Sequence, residues 1–458
     1  MNYINRSFLI IIISFLTSIS FGQNKKWTLE ECVSYAIDHN ISIKQSVLDK
    51  ELSDISKKDA IGRFLPTANA QASHSWNIGL NQNITTGLLE NQTTQFTSAG
   101  LNVGIDIYKG LQHQNQLRKA NLSIIASQYQ VTKMQEDVSL NVVNAYLQIL
   151  FNKENLKVQT QQLAFDNKQF IRTNELVEAG SIPRGDLLDI KATIATDNQR
   201  LIAAENAFFL SKLSLAQLLQ LDNFQDFDIV DAEALIANSF ILLQDPKVIL
   251  DKAKQTRTDL KIAKTNMQIA EKDIQIARSA FQPSLVGFYG FSSRVGYADR
   301  IIGVDASGKP LFGAPLPFFD QFSNNKGHSF GVSLNVPILN GFSARNSVAR
   351  SKISLERSKN LLQQQELDLE RTVFTAYSDT KGAQKTNEAA ILTLEARQKA
   401  FNYAKERYEV GLMNVFDFNQ SQTSFVNAQS EVLRTKYDYI FRTKILEFYF
   451  GIPFIKKS

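Results

Sequence analysis

Two glycines frame the residues of this sequence that could do electrostatic work. Gly180 and Gly411 lie 231 residues apart, and each is followed six residues later by an aspartate, Asp186 or Asp417. Asp189 follows the first aspartate, and Gln420 holds the matching place after the second. A carboxylate just past a glycine that ends one helix is placed to act as N-cap of the next, accepting free N–H groups and complementing the helix dipole. Little else reads as chemistry. The histidines His39, His74, His113 and His328 lack metal-ligand spacing, and neither a phosphate-binding loop nor a Gly-x-Ser-x-Gly elbow is present. These residues indicate no enzyme, no cofactor and no metal.

The elements that position these residues start after a secretion signal. Arg6 precedes an apolar run from Phe8 to Phe21 that ends in small residues, so residues 1–22 read as a signal peptide. No later stretch approaches the roughly 18–20 apolar residues of a membrane-spanning helix. The only cysteine, Cys32, lies about ten residues beyond the expected cleavage site, which predicts neither a lipid anchor there nor an internal disulfide. The net charge of +5 falls to +4 when Arg6 leaves, a balance that gives no support to nucleic-acid binding.

The second half of the chain repeats the first. Gly110-Leu111 matches Gly341-Phe342, Ala145-Tyr146 matches Ala376-Tyr377, and Glu178 matches Glu409, all at an offset of 231. Upstream, Ala36 matches Ala253 and Phe64-Leu65-Pro66 matches Phe281-Gln282-Pro283 at an offset of 217. The difference places an insertion in a loop at about 293–328, whose shorter counterpart is expected at about 79–95. The chain therefore divides into repeat 1 (23–221), a linker (222–244) and repeat 2 (245–455).

Each repeat opens with a helix, signalled by the capping box Thr28-x-x-Glu31 or by Asp245 as N-cap with Pro246 behind it. A second helix leads to strands at about 65–78 and 97–108, or 283–293 and 329–339. From Thr67 to Asn77 the odd positions are all polar, while Ala68, Ala70, Ala72, His74 and Trp76 fill the even ones. A half-buried sheet of a soluble domain shows the same alternation. About twelve residues at roughly 3.3 Å each, tilted by about 45°, also span an outer membrane. Trp76, Phe288, Tyr289 and Phe291 fit an aromatic girdle at the bilayer interface or the core of a soluble sheet.

Long helices follow, at about 112–175 and 343–406, each roughly 95 Å long. Leu117, Ile124, Val131, Val138 and Ala145 form a heptad seam that recurs as Val348, Leu355, Leu362, Leu369 and Ala376. Return helices at about 186–221 and 417–450 then run back from the glycine turns. Four strands cannot close a barrel, and open edges are not tolerated in lipid, so membrane insertion requires oligomers. Eight strands from a dimer and twelve from a trimer both satisfy that requirement.

This order of elements, given twice after a signal peptide, resembles the TolC family of outer-membrane efflux proteins. The matching residues are Thr28-Leu29-Glu30-Glu31-Cys32-Val33 with Ala36 and Asn40, Phe64-Leu65-Pro66, Ala376-Tyr377 and Tyr408-Glu409-Val410-Gly411-Leu412 leading to Asp417. The resemblance implies an α+β membrane protein, with a long α-helical coiled-coil barrel continuous with a transmembrane β-barrel. It implies four strands per chain and twelve in a homotrimer, embedded in outer-membrane lipid and extending into the periplasm. Its partners would be a periplasmic adaptor and an inner-membrane pump of the RND, ABC or MFS class. Such a channel is passive and would conduct drugs, metals or polypeptides.

The resemblance also places the periplasmic entrance at Asp417 and Tyr408, and adaptor docking at Val410, Gly411 and Leu412, with Gly180 as the weaker counterpart. Two positions depart from the family pattern: Gln420 replaces a second acid and Met413 replaces an arginine. Asp186 and Asp189 offer acidity from the first repeat instead. The aromatic segment from Leu311 to Phe322 is expected to cap or constrict the outer mouth. The rival reading is a periplasmic coiled-coil adaptor without a pore, for which one helical hairpin between β-rich halves would be expected.

Overall fold

The computed structural model describes residues 26–83, 85–231 and 240–452. The expected signal at 1–22, the linker residues 232–239 and the end of repeat 2 at 453–455 lie outside them.

The elements run in the order β1 (Lys26–Trp27), α1 (Leu29–His39), α2 (Ile41–Gly62), β2 (Thr67–Gln82), β3 (Leu89–Lys109), α3 (Gln112–Glu178) and α4 (Arg184–Leu219). The chain continues with β4 (Asp228–Ile229), α5 (Pro246–Thr256), α6 (Thr258–Arg278), β5 (Ser284–Gly296), β6 (Arg300–Val304) and β7 (Pro310–Gly313). It ends with α7 (Phe318–Asn324), β8 (Gly327–Asn335), α8 (Ser343–Glu409) and α9 (Val415–Phe450). The chain divides into two compact units, the first drawn from residues up to Leu48, Tyr129–Lys261 and those from Gln363 onward, the second from Asp49–Gln128 and Ile262–Leu362.

In the first unit, the Thr28 hydroxyl accepts from the Glu31 N–H and the Glu31 carboxylate accepts from the Thr28 N–H, so two of the free donors at the start of α1 are satisfied. Leu29, Cys32, Val33 and Ala36 fall on one helical stripe and are buried. They join Val142, Val143, Tyr146, Ile149 and Leu150 of α3, with Leu215 and Leu219 of α4, in the larger apolar core. β1 and β4 pair in parallel over this core, and the Tyr146 hydroxyl lies within hydrogen-bond reach of the Trp27 and Val230 carbonyls. Burial, followed by the nearby Glu31 carboxylate, pushes the Cys32 thiol up to about 12, so it stays an unreactive packing group. A smaller core joins Ile249, Leu250 and Ala253 of α5 to Val373 of α8 and Leu446 of α9. Asp245 caps α5 by accepting from the Lys247 N–H at 2.7 Å.

In the second unit, β2, β3, β5 and β8 form one antiparallel sheet in that order. Pairs such as Ala70 with Leu101, Leu101 with Phe291, and Tyr289 with Phe330 put alanine, aliphatic and aromatic side chains on one face. The other face carries Asn69, Gln71, Ser73, Ser98, Asn102, Ser292, Ser329 and Ser333, with glycines between them and with Phe96, Val286 and Phe288 as its apolar members. The apolar face is uncovered, with Phe330 82% and Trp76 59% exposed.

Two loop expectations need correction. Most of the segment 79–95 is strand, because β2 and β3 stay paired as far as Gln82 with Leu89, and Asn83 closes the turn by accepting from the Thr85 N–H. The longer loop is also ordered: β6 and β7 form a hairpin, and α7 is held to β5 by Ser293 Oγ donating to the Phe322 carbonyl at 2.7 Å. The segment 222–244 contains β4 and a short 3₁₀ turn at Phe240–Leu243. The last strand stops at Asn335, ahead of Pro337, which has no N–H to donate to a ladder. Gly110 ends β3 at φ +58°, and a Cβ there would lie 2.5 Å from the Gln282 Cβ, so this junction admits only glycine.

Candidate passage entrance at the helix tips

Both long helices end in the same backbone device. At the first tip the Ser181 N–H donates to the Leu176 carbonyl and the Gly180 N–H to the Val177 carbonyl, with Gly180 at φ +71°. At the second, the Leu412 N–H donates to the Arg407 carbonyl and the Gly411 N–H to the Tyr408 carbonyl, with Gly411 at φ +74°. These are paired Schellman bonds around a left-handed residue, the conformation that glycine adopts without steric cost.

The caps on the return helices differ from the sequence expectation. Asp186 and Asp417 are not N-caps; each is the third residue of its helix, because α4 starts at Arg184 and α9 at Val415. At α9 the cap is Asn414, whose Oδ1 accepts from the Asp417 N–H at 2.8 Å while its Nδ2 donates to Asp417 Oδ2 at 2.9 Å. At α4 the cap position is Pro183, which offers no side-chain acceptor. Both aspartates still lie in a first helical turn, where the dipole favours negative charge.

Val410, Leu412, Gln420, Asp189 and Asp417 are exposed, and Asp186 is half-buried. Tyr408 leans on the rim of an aromatic cluster: its ring stacks on Phe418 at 4.6 Å between centroids, and Phe418 is buried between Tyr408 and the rings of Phe165 and Phe401. Phe401 in turn stacks on Phe425 at 5.2 Å. Arg172 of α3 reaches the end of α8, with Nη1 3.7 Å from Glu409 Oε1 and Nη2 donating to the Glu409 carbonyl. A cation thus ties the two tips together although position 413 is methionine.

About three turns behind the tips, α3, α4 and α9 bury a polar cluster. Asp166 is fully buried and Asp197 2% exposed, and the two carboxyls face each other. Gln422 Nε2 donates to Asp166 Oδ1 at 2.5 Å, Gln162 Nε2 donates to Asp166 Oδ2 at 2.7 Å, and Arg200 donates to Asp197 Oδ1 at 3.3 Å. Burial, with Asp197 beside it, holds Asp166 well above the usual carboxylate range. A proton on Asp166 lets it donate to its neighbour and removes one of two like charges from an interior site.

Sequence reasoning located the two turn glycines, and the family resemblance singled out Tyr408 and Asp417; neither pointed to Asn414, Arg172, Phe418 or the Asp166–Asp197 pair. Asn414 was detectable, since Asn three residues before Asp417 is a capping signal. The others depend on which helix faces which, and no local pattern carries that information.

The family model described as outer membrane efflux protein matches residues 34–220 and again 249–450, together most of the chain. Outer membrane protein TolC of Vibrio cholerae is 20% identical over 409 residues, covering 85% of this chain and 84% of that protein. Protein CyaE of Bordetella pertussis is 26% identical over 101 residues, a stretch that spans 21% of its length. In fold, the chain is similar to the outer membrane protein VceC of Vibrio cholerae, with a TM-score of 0.75 and 15% identity over 92% of this chain and 96% of that one. The chain belongs to the outer membrane efflux protein family, and its place is the outer membrane, with an extension into the periplasm.

Proposed function

We propose that three copies of this chain assemble a passive exit channel. Their sheets would close a twelve-stranded barrel in the outer membrane, and their helices would form a periplasmic conduit built from two repeats per chain. The observation that carries this reading is the four-stranded sheet with one uncovered apolar face, one polar face and edge strands β2 and β8 without partners among the described residues. In lipid such edges must be paired by further copies, and the apolar face has a natural solvent in acyl chains.

The helix tips would form the entrance, with Asp417, Asp186 and Asp189 supplying negative potential and Tyr408 holding the tips closed against Phe418. Val410, Gly411 and Leu412 are exposed and would meet a periplasmic adaptor, Gly180 marking the corresponding turn. An inner-membrane pump of the RND, ABC or MFS class would load drugs, metals or polypeptides. No nucleic acid and no cofactor enter this scheme.

The test is the native mass and single-channel conductance of protein extracted from outer membranes. A trimer whose small conductance grows when Asp417 and Tyr408 are both replaced supports the channel and its entrance. A salt-released, non-conducting species supports the adaptor reading instead.

A further inference from the structure

At the opposite end of the sheet from Asp106, the polar face holds one cation in a fixed place. Arg294 of β5 stands opposite Ser98 of β3, which stands opposite Ser73 of β2. Its guanidinium lies 3.7 Å from the centroid of the Phe96 ring, a cation–π contact that holds the side chain flat against the strands. Phe96 stands opposite Gly296 in the ladder. The Arg294 carbonyl accepts from Asn325 Nδ2 at 2.7 Å, which ties the strand to the end of α7.

Arg294 is exposed, and no carboxylate pairs with it among the described residues. Asp106, at the α3 end of the sheet, is paired with Lys109 and His113. Glu90, six residues beyond Phe96 at the turn end of β3, accepts from the neutral Asn83 amide and keeps its negative charge, outside the lining of the cavity beside Arg294. The cavity of about 640 Å³ beside Arg294 is also lined by Arg300 and Asp299, which offset each other and leave Arg294 as the excess charge.

We infer that Arg294 sets the charge preference of the passage at its outer end, drawing anionic solutes and retarding cations. The inference rests on the proposed trimer with its polar sheet face toward the lumen. Three guanidiniums would then ring a wall in which serine, asparagine and glycine predominate, and a ring of fixed cations favours anions. The outer end would thus have the opposite sign to the acidic helix tips. Phe96 is a positioning residue: it restricts the guanidinium to one place without touching solute charge itself.

The experiment is the reversal potential of the purified protein in a planar bilayer under a KCl gradient. Arg294→Ser should move it toward the K⁺ equilibrium value, Arg294→Glu should move it further, and Arg294→Lys should keep the wild-type sign. Phe96→Leu should give a smaller shift in the same direction. An unchanged reversal potential in Arg294→Ser and Arg294→Glu, with trimer mass and open conductance intact, overturns the inference while leaving the channel standing. A wild-type protein that forms no channel overturns both.

Discussion

At the first tip, α3 gives way to α4 across Gly180 and Pro183, and no side chain caps the new helix. At the second, Asn414 caps α9, Tyr408 stacks on Phe418, and the aromatic cluster of Phe165, Phe401 and Phe425 continues inward. The Schellman turns themselves match bond for bond. Two turns with the same backbone are therefore held by different amounts of side-chain packing. A tip that is tightly packed and a tip that is loosely held are unequal partners in any opening motion, and the looser one costs less to displace.

The most severe way to break this contrast is to remove Phe418. Phe418→Ala deletes a fully buried ring and should cost about 3–5 kcal/mol, read as a lowered denaturation midpoint. Leu187, at the matching position of α4, is only half-buried. Leu187→Ala should cost less than half as much, and equal costs would mean that the tips are packed alike.

The carboxyl pair behind the tips gives a pH test. The folded state holds the Asp166 proton more tightly than the unfolded chain does, so the cluster's full stability is present below the unfolded carboxylate value. That stability is lost as the pH rises toward the raised folded value. Asp166→Asn keeps a neutral hydrogen-bonding group and should melt higher than wild type at pH 8, with the gap closing toward pH 4. A gap that is independent of pH would show that the pair does not titrate.

Smaller effects sharpen the comparison. Asn414→Ala removes the cap of α9 and should cost about 1 kcal/mol by thermal denaturation, whereas Pro183→Ala at α4 removes no capping bond. Arg172→Ala breaks a contact that is largely open to solvent and should cost only about 0.2–1 kcal/mol. Its more telling readout is conductance, which should rise if that contact helps to keep the tips together.

Much of the frame was legible in the sequence because it rests on local rules. Thr28 and Glu31 announce α1, Asp245 and Pro246 announce α5, and the glycines at 180 and 411 announce the turns, since each depends on residues within one or two helical turns. The even-odd pattern from Thr67 to Asn77 likewise revealed a strand with unlike faces. The same local reasoning failed at Asp417, because α9 starts at Val415, which leaves Asn414 at the cap position and Asp417 three residues further in, where its N–H is the one that is capped.

What the sequence by itself determined is therefore the kind of each element and the polarity of each face. Dihedral preferences, capping and hydropathy period act over a few residues. Only the tertiary structure decided that Asp166 faces Asp197 across α3 and α4, that Arg172 reaches Glu409, and that Arg294 lies on Phe96. Those contacts join residues 31, 237 and 198 positions apart, and their existence depends on helix rotation and strand register, which the packing of the whole unit selects.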